Sequence, residues 1–280
     1  MAAQVAAADE SAVGDRARAD TASAGVTRRA VGLTTAVWTL ARLKTTAAVR
    51  GGDGIFAVLS PVVFFICFYV PLHRRFEVGG GDYAQFLTPI ILLQAGIFTA
   101  IAATEVAGSD ARAGVRERMM SLPMPRIAPI VGRMSWVLAR LLLALGGGLV
   151  VGYSLGFRFH GSIMASAWFV LLMLVFGVAL SLMTDAAGSV AASSLAVASV
   201  LMIPQLILVM ASTGLVPAES FPAWIQPFVR NQPLSVFADA LRALSTGEHL
   251  DPTAVLCWAV GLLIAGAAAA LAVGRAQVNR

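Results

Sequence analysis

The sequence predicts an all-α membrane protein with six transmembrane helices, and three observations predict it. Of the 280 residues, 58% are hydrophobic and only 12% are charged, against about 45–50% and about 25% in a water-soluble domain. The charges are spaced so that several uncharged stretches reach the roughly 20 residues a helix needs to cross a bilayer. Those stretches are continuously apolar, whereas a β-barrel would alternate over strands of about ten residues. A chain so poor in charge cannot cover a water-facing surface, which excludes a soluble enzyme, a disordered protein and a secreted disulfide scaffold. Backbone groups in hydrocarbon must be satisfied internally, and helices do this.

The elements follow in order. Residues 1–26, rich in Ala, Asp and Ser, are expected to be a disordered lead-in. Over residues 27–50, Arg28, Gly32, Thr35, Thr39, Arg42, Thr46 and Arg50 recur at spacings of three and four, with Leu33, Val37, Leu40, Leu43 and Ala47 on another face. This amphipathic helix, with Arg29 and Trp38, is expected to lie in the headgroup plane. Its two arginines before an apolar run faintly resemble a signal, but the run is short and broken by Thr34, Thr35 and Thr39, so cleavage is not expected. The main body, 51–280, holds spans at 55–72, 86–106, 130–157, 161–184, 188–210 and 252–274.

Arginine placement gives the predicted sidedness. Arg16, Arg18, Arg28, Arg29, Arg42, Lys44 and Arg50 precede span one, and Arg112, Arg116, Arg118 and Arg126 lie between spans two and three. The opposite loops hold fewer, diluted by Glu219, Asp239, Glu248 and Asp251. Both termini are therefore expected in the cytoplasm of a multi-pass protein of the plasma membrane.

The segment 110–122 is a second amphipathic helix, with Val115, Met119 and Leu122 on one face and Arg112, Arg116, Glu117 and Arg118 around it; Pro123 and Pro125 stop it. Either it presses an apolar edge into a partner's groove, or it merely returns the chain to the membrane with topology-obeying positives. Inside the membrane, ionisable groups are costly and need partners. Arg140 lies about ten residues, hence about 15 Å, into span three, and Glu105 is its expected partner, with Asp185 second. Arg133 is expected to reach the headgroups. Between spans five and six, Pro217, Phe221, Pro222, Trp224, Pro227, Asn231 and Pro233 introduce two short half-apolar helices, the second running to Gly247. They are expected as a re-entrant outer lid or, alternatively, as aromatic anchors at headgroup level.

Signatures of catalysis are missing from the sequence: it has neither H-E-x-x-H nor G-x-S-x-G, and His73, His160 and His249 are scattered in loops. Cys67 and Cys257 are expected to be small buried hydrophobes, neither a disulfide nor metal ligands. The net charge of +5 carries no basic block with interleaved aromatics, so nucleic acid is not an expected partner. Lys44 is the chain's one lysine, and G-x-x-x-x-G-K-[ST] is absent, so any ATP must be bound by another polypeptide.

These segments resemble a known family. The N-terminal interfacial helix, six spans, the R-E-R at 116–118 and the strings G-L-V-P (214–217), F-P-A-W-I-Q-P-F (221–228), N-Q-P-L-S (231–235) and A-L-R-A-L (240–244) look like an ABC-2 type exporter permease of the daunorubicin-resistance type. M-M-S-L-P-M-P (119–125) and G-F-R-F-H-G (156–161) are most similar to mycobacterial permeases that export phthiocerol dimycocerosate lipids. The resemblance spans about residues 28–275. It implies a non-catalytic membrane subunit without a cofactor of its own, whose ATP and Mg are bound by two copies of a separate ATP-binding subunit. It also implies a second permease chain, identical or related. Under it, 110–122 becomes the coupling helix seated on the ATP-binding subunit, 27–50 the elbow helix, and 217–244 the cap over a path between permeases. Gln94, Thr99, Gln205 and Met210 are then path-lining candidates for a complex lipid or a drug, with lipid favoured. Many members carry a denser charged string before the coupling helix than S-D-A-R at 109–112. A different class, an ion-coupled transporter acting without an ATPase, would need midplane carboxylates and broken repeats, and neither is evident.

Overall fold

The computed structural model describes residues 52–78, 82–113, 128–250 and 252–276. Among them every regular element is helical: α1 (Asp53–Val78), α2 (Tyr83–Arg112), α3 (Ala128–Ser154), α4 (Ile163–Val190), α5 (Ser194–Met210), a 3-10 turn (Ala218–Ser220), α6 (Gln226–Asn231), α7 (Pro233–Thr246) and α8 (Pro252–Ala276). Five of these, α1 to α4 and α8, are long and apolar enough to cross a membrane, and α5 is a shorter apolar helix. The expected elbow helix at 27–50, with Arg28, Arg29, Trp38 and Arg42, lies outside the described residues. So does the 114–127 part of the expected coupling helix, with Val115, Arg116, Glu117, Arg118, Met119 and Leu122.

The helix ends follow local chemistry rather than hydropathy alone. Span two starts three residues before its expected position because Asp82 caps it, its Oδ1 accepting from the Ala84 and Gln85 amides at 2.9 and 3.4 Å. It continues past Glu105 to Arg112, so Glu105 lies inside the helix and not at its end. Span four is capped by Ser162, whose Oγ accepts from the Ala165 amide at 3.1 Å, and runs on to Val190. The expected span at 188–210 is therefore shorter at its start: Gly188 belongs to α4, the chain turns at 191–193, and α5 begins at Ser194, with the Ser193 hydroxyl accepting from the Ala196 amide. Span three ends at Ser154, where Gly156 adopts φ 116° and turns the chain back. Gly247, at φ 81°, closes α7 in the left-handed conformation expected of it.

The core is organised around α2. This helix is buried along most of its length, from Tyr83 to Gly108, with α1, α3, α4, α5 and α7 packed around it. Its most extensive neighbour is α4, which in turn carries α8 on its far side. At the end bearing α6 and α7, here the cap end, Phe159 packs edge to face with Phe157 and with Phe169, each at 5.1 Å. Phe176 of α4 meets Phe237 of α7 at 4.8 Å. The lateral surfaces of α1, α5 and α8 stay apolar and open, including Phe56, Ile66, Ile203, Ile207 and Ile264. Cys67 and Cys257 sit on those exposed faces, free and far from the expected interior positions, because each falls on the outward side of its helix.

Glycine at two points of α2 and α4 permits the closest backbone approaches. A Cβ on Gly188 would stand 2.2 Å from the Thr104 carbonyl oxygen, and one on Gly108 2.2 Å from the Ser194 Cβ. A Cβ on Gly146 would meet nothing within 4 Å. Gly188→Ala and Gly108→Ala are accordingly expected to destabilise the protein by about 1–3 kcal/mol or more, through forced separation of packed helices. Gly146→Ala is expected to be neutral or stabilising by up to about 1 kcal/mol. Thermal melts followed by size exclusion in detergent measure all three.

Candidate functional site

Two polar clusters stand at opposite ends of the bundle, and they are where this apolar chain concentrates its chemistry. The first is at the end from which the 114–127 segment departs. Arg133, in the second turn of α3, forms a two-pronged ion pair with Asp185 of α4: Nε to Oδ1 at 2.5 Å and a terminal nitrogen to Oδ2 at 2.9 Å. Both side chains are nearly enclosed, at 12% and 5% exposure. Asp110, at the end of α2, adds a longer-range attraction on Arg133. One helix over, Arg112 donates to the Ser194 hydroxyl at 3.0 Å, joining the last turn of α2 to the first turn of α5. The two helical arms that flank the 114–127 segment are thus both fastened to the α4–α5 corner.

The anticipated Glu105–Arg140 pair is not formed. Glu105 is exposed, while Arg140 lies over the Trp136 ring at 5.6 Å. The partner ranked second for Arg140, Asp185, is engaged by Arg133 instead. Arg133 is therefore not a headgroup-seeking residue; it is enclosed because a fork-shaped guanidinium can satisfy a carboxylate at two points.

The second cluster builds the cap. Gln232, at the start of α7, donates through Nε2 to the Leu208 and Ala211 carbonyls and to Ser235 Oγ. Ser235 Oγ accepts from the Thr213 amide at 3.1 Å, and Ser212 Oγ accepts from the Gly214 amide at 2.9 Å. Arg242 of α7 completes the network. Its terminal nitrogens donate to the Thr213 and Gly214 carbonyls at 3.0 and 2.7 Å and to Asp239 Oδ1 at 2.7 Å. Its Nε donates to the Phe86 carbonyl of α2 at 3.1 Å, and its Cζ lies 3.7 Å from the centre of the Phe86 ring. Thr213 donates its hydroxyl proton to Asp239 Oδ2 at 3.0 Å. Burial pulls the Arg242 guanidinium down to about 10 against the opposing attraction of Asp239, so it stays protonated at neutral pH. Burial pushes the Asp239 carboxyl up, opposed by Arg242 and by the Thr213 hydrogen bond.

The expected lid therefore divides in two. The α7 half is fixed: Gln85 of α2 donates to Ser245 Oγ at 3.0 Å while its own Oε1 accepts from the Arg158 amide, and the His160 amide donates to the Ser245 carbonyl. The 217–231 half stands proud. Trp224 is 81% exposed and Phe228 51%. Pro217, Pro222 and Pro227 are also exposed, Phe221 is half-buried, and Pro233 opens α7. Asn231 receives the Trp258 indole N–H of α8 on its carbonyl at 3.1 Å.

Of the path-lining candidates, Gln94 and Thr99 are enclosed within the protomer rather than set on an open face, because α2 is surrounded by other helices. The Thr99 hydroxyl is spent on the Ala95 carbonyl, and Gln94 Oε1 finds no partner. Gln205 is also buried, whereas Met210 is exposed on α5 beside Ile203, Leu206 and Ile207.

Sequence reasoning missed Arg242, Gln232, Ser194, Gly108 and Gly188. One signal was present for Arg242: Ser235, Arg242 and Ser245, seven and three residues apart, put polar groups on the face that α7 turns inward. The glycine contacts had none, since they depend on which helices meet.

An enclosed central helix, open apolar flanks and polar fasteners at both ends define a multi-pass membrane protein whose helices are gripped at their termini. The chain belongs to the ABC-2 family of transporters: residues 73–275 match the family described as ABC-2 family transporter protein. It is 34% identical over 246 residues, 85% of either chain, to the doxorubicin resistance ABC transporter permease protein DrrB of Mycobacterium tuberculosis. It is 30% identical over 208 residues, 74% of either chain, to the daunorubicin resistance ABC transporter permease protein DrrB1 of Streptomyces coeruleorubidus. The probable doxorubicin resistance permease DrrC of Mycobacterium tuberculosis is 29% identical over 221 residues. Membership implies an ABC ATP-binding partner.

The Arg133–Asp185 pair gives a direct check of the first cluster. Asp185→Asn, which strands Arg133 without its counter-charge, is expected to cost about 3–5 kcal/mol, whereas replacing both by apolar residues (Arg133→Met with Asp185→Leu) recovers most of it. Thermal stability of the three purified proteins in detergent decides between this and a pair of negligible weight.

Proposed function

We propose that this chain is the permease subunit of an ATP-binding cassette exporter that moves a hydrophobic or amphipathic substrate, a drug or a complex lipid, outward across the plasma membrane. Membership of the ABC-2 family carries this reading. The chain supplies the membrane path and performs no chemistry. Two copies of a separate ATP-binding subunit hold ATP and Mg, consistent with a sequence whose lone lysine cannot complete a phosphate loop. A second permease chain, identical or related, supplies the other half. Both termini and the 114–127 segment lie in the cytoplasm, and the α6–α7 cap lies outside.

In this reading residues 27–50 are the elbow, 110–122 is the coupling helix, and its charges and apolar face dock on the ATP-binding subunit. Closing of the nucleotide-bound subunits displaces the coupling helix and shifts the permease between two states. The open face of α5, with Ile203, Ile207 and Met210, supports a path or a permease–permease contact along this helix. The unpaired oxygen of Gln94, deep beside the same region of α2, supports a substrate contact made when the bundle opens. An ion-coupled carrier finds less support among the described residues, since Asp185 is already matched by Arg133 and Glu105 is exposed.

Reconstitution with the cognate ATP-binding subunit in inverted vesicles tests the proposal, with doxorubicin as the fluorescent probe and a phthiocerol-type lipid as the second. ATP-dependent accumulation of either supports it. Accumulation of a probe by the chain alone without nucleotide would overturn it. Arg116→Glu with Met119→Asp is expected to leave membrane insertion intact and to abolish probe-stimulated ATP hydrolysis, measured as phosphate release.

A further inference from the structure

α5, the shorter apolar helix, is open along most of its flank, as α1 and α8 are, and is set apart by how its ends are held. Its only buried residues are Ser194, Ala198, Gln205 and Val209, and large apolar side chains cover the rest of its circumference. Lateral packing on α2 and α4 is correspondingly thin. Its two ends, by contrast, are fastened by polar groups. At the first turn, Ser194 receives Arg112 and presses against Gly108 so closely that no Cβ fits between them. At the last turn, the Leu208 and Ala211 carbonyls, which have no helical partner there, are taken by Gln232, and Arg242 takes the Thr213 and Gly214 carbonyls just beyond. Gly214 also lies against Ile90 of α2, where a Cβ would come within 2.5 Å of the Ile90 side chain. Both fastenings lead to α2: Gly108 and Arg112 at one end, Phe86 and Ile90 at the other. α2 has 30 residues and thus spans about 45 Å, and it runs directly into the segment assigned above to coupling.

We infer that α5 is a strut gripped at its ends, and that Arg112 and Arg242 are the positioning residues through which a displacement of α2 is passed to it. The inference rests on the proposed exporter function. In outline, force applied to the last turn of α2 reaches the start of α5 through Arg112 and Ser194. The outer end follows because Arg242 binds the first turns of α2 and the end of α5 with one planar group, which bends little. The thin lateral packing then lets α5 tilt against its neighbours without tearing apart a large apolar contact, while the fasteners fix where it goes.

The test uses the full complex in nanodiscs, with spin labels at Ile203→Cys on α5 and Ile264→Cys on α8, both exposed positions. The native Cys67 and Cys257, also exposed, are replaced by Ser. Labelled chain is diluted with unlabelled chain so that each complex carries one labelled copy. The label-to-label distance is read by pulsed EPR without nucleotide and after ATP–vanadate trapping. With the native fasteners, trapping is expected to shift the distance. Arg242→Gln and Ser194→Ala are each expected to shrink the shift about two-fold or more, with assembly and basal ATP hydrolysis retained. A shift of native size in both variants would overturn the inference and leave the exporter reading standing. No shift even with the native fasteners, in a complex that hydrolyses ATP, would instead bring down the nucleotide-driven gate on which it rests. Ser194→Ala removes a single hydroxyl, so it decides the matter if Arg242→Gln fails to assemble.

Discussion

A helix enclosed along most of its surface by other helices leaves few side chains any lipid or water into which to turn, and α2 is such a helix, with Glu105 the exposed exception between Tyr83 and Gly108. From Tyr83 to Gly108 it is walled by α1, α3, α4, α5 and α7. Without a hydrophobic driving force between helices in a bilayer, their association depends on close van der Waals fit and on polar contacts. That requirement explains the small residues where α2 meets its neighbours: Gly108 against Ser194, Thr104 against Gly188, Gly96 beside Gly177. It also explains why Thr88 and Thr99 turn their hydroxyls back to the Ala84 and Ala95 carbonyls, four residues earlier, since no water is present to receive them.

The same scarcity of water governs the helix ends. The last carbonyls of a helix have no partner within it, and near a membrane surface they are satisfied by side chains or left at a cost. Here the cap helix α7 supplies those side chains. Gln232 and Arg242 between them reach four carbonyls at and beyond the end of α5. An amphipathic helix that looks in sequence like a lid is for that reason a terminator: it completes α5 and is itself held on α2 and on the turn before α4. What remains free to act at that end is the aromatic segment around Trp224 and Phe228.

Much of the architecture was legible in the sequence because hydrophobic runs and turn residues are local signals. The spans at 55–72, 86–106, 130–157, 161–184 and 252–274 each correspond to a helix, and Pro233 and Gly247 bound α7 as their backbone preferences dictate. Boundaries drifted where an ionisable residue was read as a membrane edge. Glu105 and Asp185 both lie within helices, one because it faces outward and the other because Arg133 neutralises it. The choice between Arg133 and Arg140 as the paired arginine could not come from spacing, since either can be set opposite a carboxylate until the relative rotation of α3 and α4 is known. The two cysteines went wrong for a related reason: in a membrane helix an apolar neighbourhood in sequence says nothing about which side faces protein.

The distribution of charge then bears on how such a chain can move. The Arg133–Asp185 ion pair lies at one end of the bundle, and Arg242–Asp239 and Arg230–Glu219 lie at the other. Between the ends the helices are joined mainly by apolar contacts, which are non-directional and change little when surfaces slide by a fraction of a side chain, with the Thr184 hydroxyl donating to the Ala100 carbonyl as an exception. Hydrogen-bonded ion pairs are directional and lose most of their strength when geometry is lost. A bundle fastened at its ends and smooth along its flanks transmits displacement along its helices and yields across them. That is the mechanical character required of a membrane subunit whose work is done on it by another protein.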